Sequence, residues 1–161
     1  MTQAPIAIVW HGRTGAAQAL AEAAARGAGE GGVLMRADRA TAERLLAASA
    51  YLFVCAENLG TMTGAMKEMF DVACYPLLGR VEGRGFATIV AAGSDGHGAT
   101  AQIERIVTGW RLRRISAAVI VNLAAQSPEA ILAAKTVPAA ALTQAEDLGR
   151  ALAEAARLGI C

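Results

Sequence analysis

A short polar loop near the start of the chain has the residue types of an anion-binding turn. It reads Gly12-Arg13-Thr14-Gly15 and lies between an apolar run that ends at Trp10 and an Ala-rich segment. The two glycines allow the backbone to approach an anion, Arg13 can supply a charge and Thr14 a hydroxyl. If the Ala-rich segment is a helix, its first N–H groups lack intrahelical partners and lie at the positive end of the helix dipole. The loop therefore predicts a phosphate site, and a tight strand-to-helix turn without a ligand is the alternative.

Two common nucleotide-binding motifs are absent from the sequence around this loop. There is no Gly-x-x-x-x-Gly-Lys-Ser/Thr cradle. Neither Gly-x-Gly-x-x-Gly nor an acidic residue placed for a ribose follows the first apolar run. A phosphate bound here would therefore belong neither to an ordinary nucleoside triphosphate nor to a Rossmann-type dinucleotide.

Other residues that could do chemistry give weaker signals. His11 and His97 are the two histidines of the chain, and without a helical pair or a cysteine ligand they do not predict a metal site. Ser94, Asp95 and His97 are the residue types of a hydrolase triad, but residues so close in one loop cannot form the required relay. Cys55 ends an apolar run and is predicted to be a buried small hydrophobe. We therefore predict neither a catalytic side chain nor a metal.

Length, charge and cysteine usage limit the class of protein. A chain of 161 residues fits one domain over 1–161, and a net charge of +1 predicts no nucleic-acid partner. The three cysteines are widely spaced and lack a Cys-x-x-Cys pair, which favours a reducing, cytoplasmic setting. No uncharged apolar run approaches the roughly 18 residues of a membrane span, and the start has no basic region before an apolar core. We expect a soluble, cytoplasmic, unprocessed protein.

Strand and helix signals alternate along the chain. Apolar runs of strand length predict strands over 6–10, 33–36, 50–55, 86–92 and 115–122. Helical spacing and cap residues predict helices from near Gly15 to the glycine cluster 27–32, over 41–48 with Asp38 as N-cap, from Met62 to Cys74, over 99–110 and over 142–158. The segment 123–141 contains two prolines and is predicted to be an excursion with one helical turn, whose place relative to any site is open.

Five alternations of strand and helix, joined by right-handed crossovers, predict a parallel sheet with helices on both faces. Five strands favour the order 2-1-3-4-5. In that order strands 1, 3 and 4 are neighbours, so the first loop (11–17), the second loop (56–62) and the third loop (93–98) converge at one edge. Open α/β sheets bind their ligands at such an edge.

Taken together, these stretches resemble the flavodoxin-like family. The specific match is the run 56–71, AENLGTMTGAMKEMFD, which is similar to the family's second flavin loop and the helix after it. The resemblance is closer to the FMN-dependent NAD(P)H and quinone reductases of the family than to its small electron carriers. It covers nearly the whole chain and implies a flavodoxin-like three-layer α/β/α sandwich, with a five-stranded parallel sheet in the order 2-1-3-4-5.

The resemblance implies FMN as the cofactor, held by the three loops. The first loop would hold the phosphate, the second would lie along the isoalloxazine with the backbone near Gly60 facing N5, and the third would cover the pyrimidine side. The residues so implied are Arg13, Thr14, Gly15, Ala16 and Ala17, then Glu57, Asn58, Leu59, Gly60, Thr61 and Met62, then Gly93, Ser94, Asp95, Gly96, His97 and Gly98. Gly12 and Ala17 stand where many relatives have hydroxyl residues, so two phosphate contacts of the family are missing.

The implied function is an oxidoreductase that passes electrons from NADH or NADPH through FMN to a quinone or another small acceptor. Two alternatives are open: a flavodoxin-type electron-transfer protein without its own NAD(P)H activity, and a relative that has lost flavin. The second and third loops contain no Tyr or Trp and the net charge is not strongly acidic, which favours the reductase over the carrier. Relatives of this type imply a homodimer or a homotetramer.

Overall fold

A computed structural model describes residues 3–161 of the chain. Residues 1–2, which the predicted domain 1–161 includes, lie outside that range. The strands are β1 (Ile6–His11), β2 (Gly32–Arg36), β3 (Ala50–Asn58), β4 (Thr61–Met62), β5 (Gly85–Ala92), β6 (Arg113–Arg114) and β7 (Val119–Asn122). The helices are α1 (Ala16–Ala28), α2 (Ala42–Leu46), α3 (Gly64–Leu77), α4 (His97–Gly109), α5 (Pro128–Leu132) and α6 (Ala139–Arg157).

The parallel sheet has the order β2-β1-β3-β5, and both β6 and β7 lie beside β5. The short strands β6 and β7 are two parts of one edge strand, so the predicted order 2-1-3-4-5 is confirmed. The predicted strand over 115–122 is confirmed only over Val119–Asn122, since residues 115–118 are not part of a strand. The last residue pair of β6 with β5 is Arg114 with Phe86, and the first pair of β7 with β5 is Val119 with Ile89. Between these pairs β5 advances three residues, whereas the edge strand advances five. The two extra residues leave the ladder, which interrupts pairing as a bulge does.

Each face of the sheet is covered by its own helices, which is why the central strands are apolar throughout. Successive side chains of β3 point to opposite faces. Tyr51, Phe53 and Cys55 lie in the core that α3 and α4 cover. Leu52 and Val54 lie in the core that α1 and α6 cover. The predicted central, doubly buried strand is confirmed.

Several helix ends differ from the prediction for local reasons. Thr41, not Asp38, caps α2, because its side chain accepts the Arg44 N–H at 3.3 Å. The third helix begins at Gly64 rather than Met62, since Thr61 and Met62 pair back onto β3. It also continues through Pro76, which falls in the last turn, where the missing N–H removes only one hydrogen bond.

No helix within residues 3–161 combines the length and the apolar composition that a membrane crossing requires.

Candidate functional site

The loops that follow β1, β3 and β5 meet at the carboxyl edge of the sheet and border a cavity. These three strands are neighbours in the sheet, so the predicted convergence of the first, second and third loops is present. The cavity has a volume of about 580 Å³. That size lies within the roughly 300–1,000 Å³ of typical small-molecule sites.

Ten of the seventeen predicted site residues line the cavity: Arg13, Thr14, Ala16, Ala17, Glu57, Asn58, Leu59, Gly60, Gly93 and Ser94. The other seven do not: Gly15, Thr61, Met62, Asp95, Gly96, His97 and Gly98. Most of the residues that do not line the cavity belong to the third loop, because the second half of this loop leads into the start of α4. Contact of any of the seventeen residues with a cofactor stays a prediction.

The first loop places uncapped helix donors at the cavity. Gly15 is the N-cap of α1 with φ 97°, and no side chain caps this helix and no acidic residue lies in its first turn. The N–H groups of Ala16 and Ala17 belong to that first turn, and both residues line the cavity. Because such donors and the helix dipole attract negative charge, this end of the cavity can hold an anion. The exposed Arg13 adds a full positive charge at the same end.

The small residues at positions 12 and 17 are coupled by packing. A Cβ placed on Gly12 would lie 2.9 Å from the Cβ of Ala17. A side chain at position 12 would therefore collide with Ala17 unless the loop backbone shifts.

The second loop is a β-hairpin, although its sequence predicted only a loop. Glu57 pairs with Met62 and Asn58 with Thr61, so β3 turns back into β4. Leu59 and Gly60 form the turn with φ 53° and 73°, the positive values that a type I′ turn requires. A non-glycine residue in this conformation costs about 1–3 kcal/mol. The Leu59 side chain is fully exposed at the rim of the cavity.

Hydrogen bonds join the second loop to the helix that follows the third. The Glu57 carboxylate accepts the N–H of Gly96 at 2.8 Å and the N–H of Ala99 at 3.0 Å, one on each oxygen. It therefore caps the N-terminus of α4, which has no cap from its own chain segment. The Met62 N–H also donates to Gln102 Oε1 at 2.8 Å. Glu57 thus anchors the second loop to the start of α4, a role that its position in the sequence did not reveal.

The segment 123–138, which we call the arm, closes another side of the cavity. Its lining residues are Leu123, Ala125, Ile131, Leu132 and Lys135. Asn122 fixes the start of the arm by donating to the Ser94 carbonyl at 2.6 Å and accepting the Ala124 N–H at 2.9 Å. The Lys135 N–H donates to the Thr14 carbonyl at 2.8 Å, which ties the arm to the first loop. The predicted helical turn is α5, and the previously open position of the excursion is at the cavity.

A buried polar cluster lies beneath the first two loops. His11 Nδ1 is 2.9 Å from the hydroxyl of Thr63, and that hydroxyl also accepts the Met66 N–H at 3.3 Å. Burial, followed by the charge of Arg36, lowers the pKa of His11. Burial raises the pKa of the neighbouring Cys55 thiol, which agrees with the predicted inert, buried cysteine. The cluster joins the end of β1 to the start of α3.

The second histidine lies elsewhere. His97 is exposed at the start of α4, with Nδ1 2.7 Å from an Asp95 carboxylate oxygen. In the described part of the chain, no group of three His, Cys, Asp or Glu residues could hold a metal ion.

The variant His11→Asn should make stability less dependent on acidic pH. Burial lowers the pKa of His11 in the folded chain. The His11 ring of the unfolded chain therefore takes up a proton near pH ~6.5, whereas the ring in the folded chain does so only at a lower pH. Stability is therefore lost as the pH falls from the unfolded pKa to the folded one, by at most about 1.4 kcal/mol per pH unit. Asn cannot titrate but keeps an oxygen for the Thr63 hydroxyl. Urea unfolding at about pH 7.5 and about pH 5 should show a smaller difference for the variant than for the unmodified chain.

The matched control is His97→Asn. This ring is exposed and its pairing with Asp95 is solvated, so its contribution to stability is small. The control should keep the pH dependence of the unmodified chain. Equal pH dependence in His11→Asn and the unmodified chain would contradict a neutral, buried His11.

The sequence has no match among protein-family models and no significant match among curated proteins. Solved structures do match. A flavodoxin from the domain Archaea is 15% identical over 95% of this chain and 99% of its own, with a TM-score of 0.76. A WrbA-like flavodoxin from Agrobacterium tumefaciens is 18% identical over 96% of this chain and 98% of its own, with a TM-score of 0.73.

A third similar structure is a larger protein. The flavodiiron protein from Giardia intestinalis is 17% identical over 97% of this chain but only 37% of its own, with a TM-score of 0.75. At these low identities the likeness concerns the fold. The chain has the flavodoxin-like α/β fold, as the resemblance implied.

Proposed function

We propose that this chain binds FMN and acts in electron transfer, as an oxidoreductase that takes electrons from NADH or NADPH and passes them to a quinone or another small acceptor. The observation that carries the proposal is the cavity of about 580 Å³ at the edge where β1, β3 and β5 end, with the uncapped start of α1 at one end. The similar structures named above as flavodoxins have the same fold. Bound FMN would supply hydride and single-electron chemistry.

The residues around the cavity fit a ligand with one anionic end and one flat, apolar end. The N–H groups at the start of α1 and the Arg13 guanidinium would hold the phosphate. Ala56, Ala91 and Ala92 give the middle of the cavity a small, apolar wall that a planar ring could contact. The sequence departures at positions 12 and 17 therefore leave an anion site built from backbone donors.

The chain's own contribution to the reaction is binding and orientation. The hairpin of the second loop, held to α4 by Glu57, would keep one edge of the ring in place. The arm would cover another side and exclude water there. No side chain is needed as an acid or a base, since the cofactor itself accepts and gives up the electrons.

The rim of the cavity has exposed apolar side chains, which favour the binding of a small electron acceptor. Leu59 on one side, with 103% relative exposure, and Leu132 on the other, with 79%, are large apolar side chains in contact with solvent. Apolar surface next to an open cavity is typical of ligand or partner binding. A flat, apolar molecule such as a quinone would bury this surface.

The first test is a visible absorption spectrum of the purified protein before and after incubation with FMN and desalting. Retained flavin bands, with quenching in a fluorescence titration, are the expected result. NADH or NADPH should then be consumed at a steady rate when a quinone is present. Binding without NAD(P)H oxidation would favour the electron-transfer carrier, and no binding at excess FMN would overturn the proposal and favour a relative that has lost flavin.

A further inference from the structure

One of the two lysines of the chain lies in the wall of the cavity. Lys135 belongs to the arm, far in sequence from the first loop. Its N–H donates to the Thr14 carbonyl at 2.8 Å, so its backbone lies directly against the loop that forms the anion end. Lys135 also lines the same cavity as Arg13 and Ala17. The arm thus brings a second basic residue into the wall of this cavity.

The charge of Lys135 has no carboxylate partner. Its ammonium donates to the carbonyls of Ile131 at 2.8 Å and Ala133 at 2.6 Å, at the end of α5. An ammonium has three N–H donors, so one is left for another acceptor. In residues 3–161, neither Lys135 nor Arg13 has a carboxylate oxygen within 4.0 Å. Two cations without a carboxylate partner in the wall of one cavity attract a multiply charged anion.

This arrangement offsets the absence of two hydroxyl groups. Gly12 and Ala17 leave the first loop without those donors. A charged hydrogen bond is stronger than a neutral one, so a lysine can replace more than one hydroxyl contact. We propose that Lys135 is a phosphate-binding residue of this cavity and makes it selective for a flavin that carries a phosphate monoester. The inference rests on the proposed function and extends it to a residue of the arm.

The test compares FMN with riboflavin, which has the same ring but no phosphate. Lys135→Met removes the charge and keeps a long, flexible side chain. We expect it to weaken FMN binding about 10- to 100-fold in a fluorescence-quenching titration and to change riboflavin binding by less than about twofold. Lys135→Arg should keep most of the FMN affinity. Raising the salt concentration should weaken FMN binding less in Lys135→Met than in the unmodified chain.

Lys67→Met is the matched control. Lys67 is the other lysine of the chain; it is exposed on α3, pairs with Asp71 at 2.6 Å and does not line the cavity. Its replacement should leave the FMN to riboflavin ratio unchanged.

A second measurement does not depend on flavin. Acetylation of the two lysines can be followed by mass spectrometry, and excess inorganic phosphate should slow acetylation of Lys135 but not of Lys67. Protection by phosphate without any flavin binding would support the phosphate site and overturn the flavin proposal. The inference is overturned if Lys135→Met weakens FMN and riboflavin equally, which would indicate that the lysine only caps α5. Unchanged FMN affinity in Lys135→Met, or no protection by phosphate, would overturn it too.

Discussion

Gly149→Val is expected to lower the free energy of unfolding by about 3 kcal/mol or more. Gly149 lies in the middle of α6, where a Cβ would be 2.0 Å from the carbonyl oxygen of Ala24 in α1. Gly27 makes the reciprocal approach, since its Cβ would lie 1.8 Å from the Glu146 carbonyl oxygen. These obstacles are backbone atoms, so no side-chain rotation relieves the clash. The two helices must separate.

Separation of α1 and α6 would open one of the two cores, because Leu20, Leu148 and Leu152 all lie between these helices and the sheet. Urea unfolding followed by circular dichroism measures the loss. The matched control is Gly109→Ala, at the end of α4, where nothing lies within 4 Å of the new Cβ. A glycine in an open helix position costs about 0.5–1 kcal/mol relative to alanine, so the control should be neutral or slightly stabilising. Equal stability of the two variants would contradict the close approach.

Gly149 also shows where helical periodicity stops being informative. Ala145, Leu148 and Leu152 of the last helix recur at helical spacing and are buried. Gly149 interrupts that pattern as a weak helix former. A glycine is needed at this position because the backbone of α1, more than a hundred residues earlier in the chain, lies against it. A contact of this kind leaves no local pattern to detect.

The sheet was more predictable than its edges. Continuous apolar runs identified the central strands, and the right-handed crossover rule then left few possible orders. The interruption between β6 and β7 depends on register against β5, which the apolar pattern of 115–122 does not contain. The hairpin of the second loop was missed for another reason. Its turn has Leu59 where type I′ turns usually have Asn, Asp or Gly, so the usual turn signal was absent.

The candidate site was also predictable only in part. The topology alone was enough to predict that three loops converge, because neighbouring parallel strands end at one edge. The arm could not be placed in this way. It is joined to the first loop through the backbone of Lys135 and Thr14, and backbone hydrogen bonds do not depend on side-chain identity. The chain has two lysines, and its sequence does not indicate which of them lies at the cavity.

Gly98→Val is expected to weaken flavin binding strongly although Gly98 does not line the cavity. A Cβ at this position would lie 1.9 Å from the carbonyl oxygen of Gly60 and 3.4 Å from a carboxylate oxygen of Glu57. The larger side chain would push the hairpin turn away from α4 and strain the bonds from Glu57 to Gly96 and Ala99. We expect at least about tenfold weaker FMN binding and a loss of about 1–3 kcal/mol in the free energy of unfolding.

Fluorescence titration and urea unfolding measure these two effects. Gly64→Ala is the control, because Gly64 opens α3 and has nothing within 4 Å of its new Cβ. Unchanged FMN affinity in Gly98→Val would mean that the hairpin moves without consequence for the cavity.

A comparison of FMN with riboflavin distinguishes the phosphate end of the proposed site from its ring end. Gly98→Val displaces the walls around the ring, so FMN and riboflavin should lose affinity in similar proportion. Lys135→Met removes a charge beside the first loop, so only FMN should respond. A Gly98 variant that affected FMN alone would contradict the assignment of the second and third loops to the ring. Because the two substitutions act on walls that would touch different parts of one ligand, the difference between their effects on FMN and riboflavin tests the orientation of the ligand in the cavity.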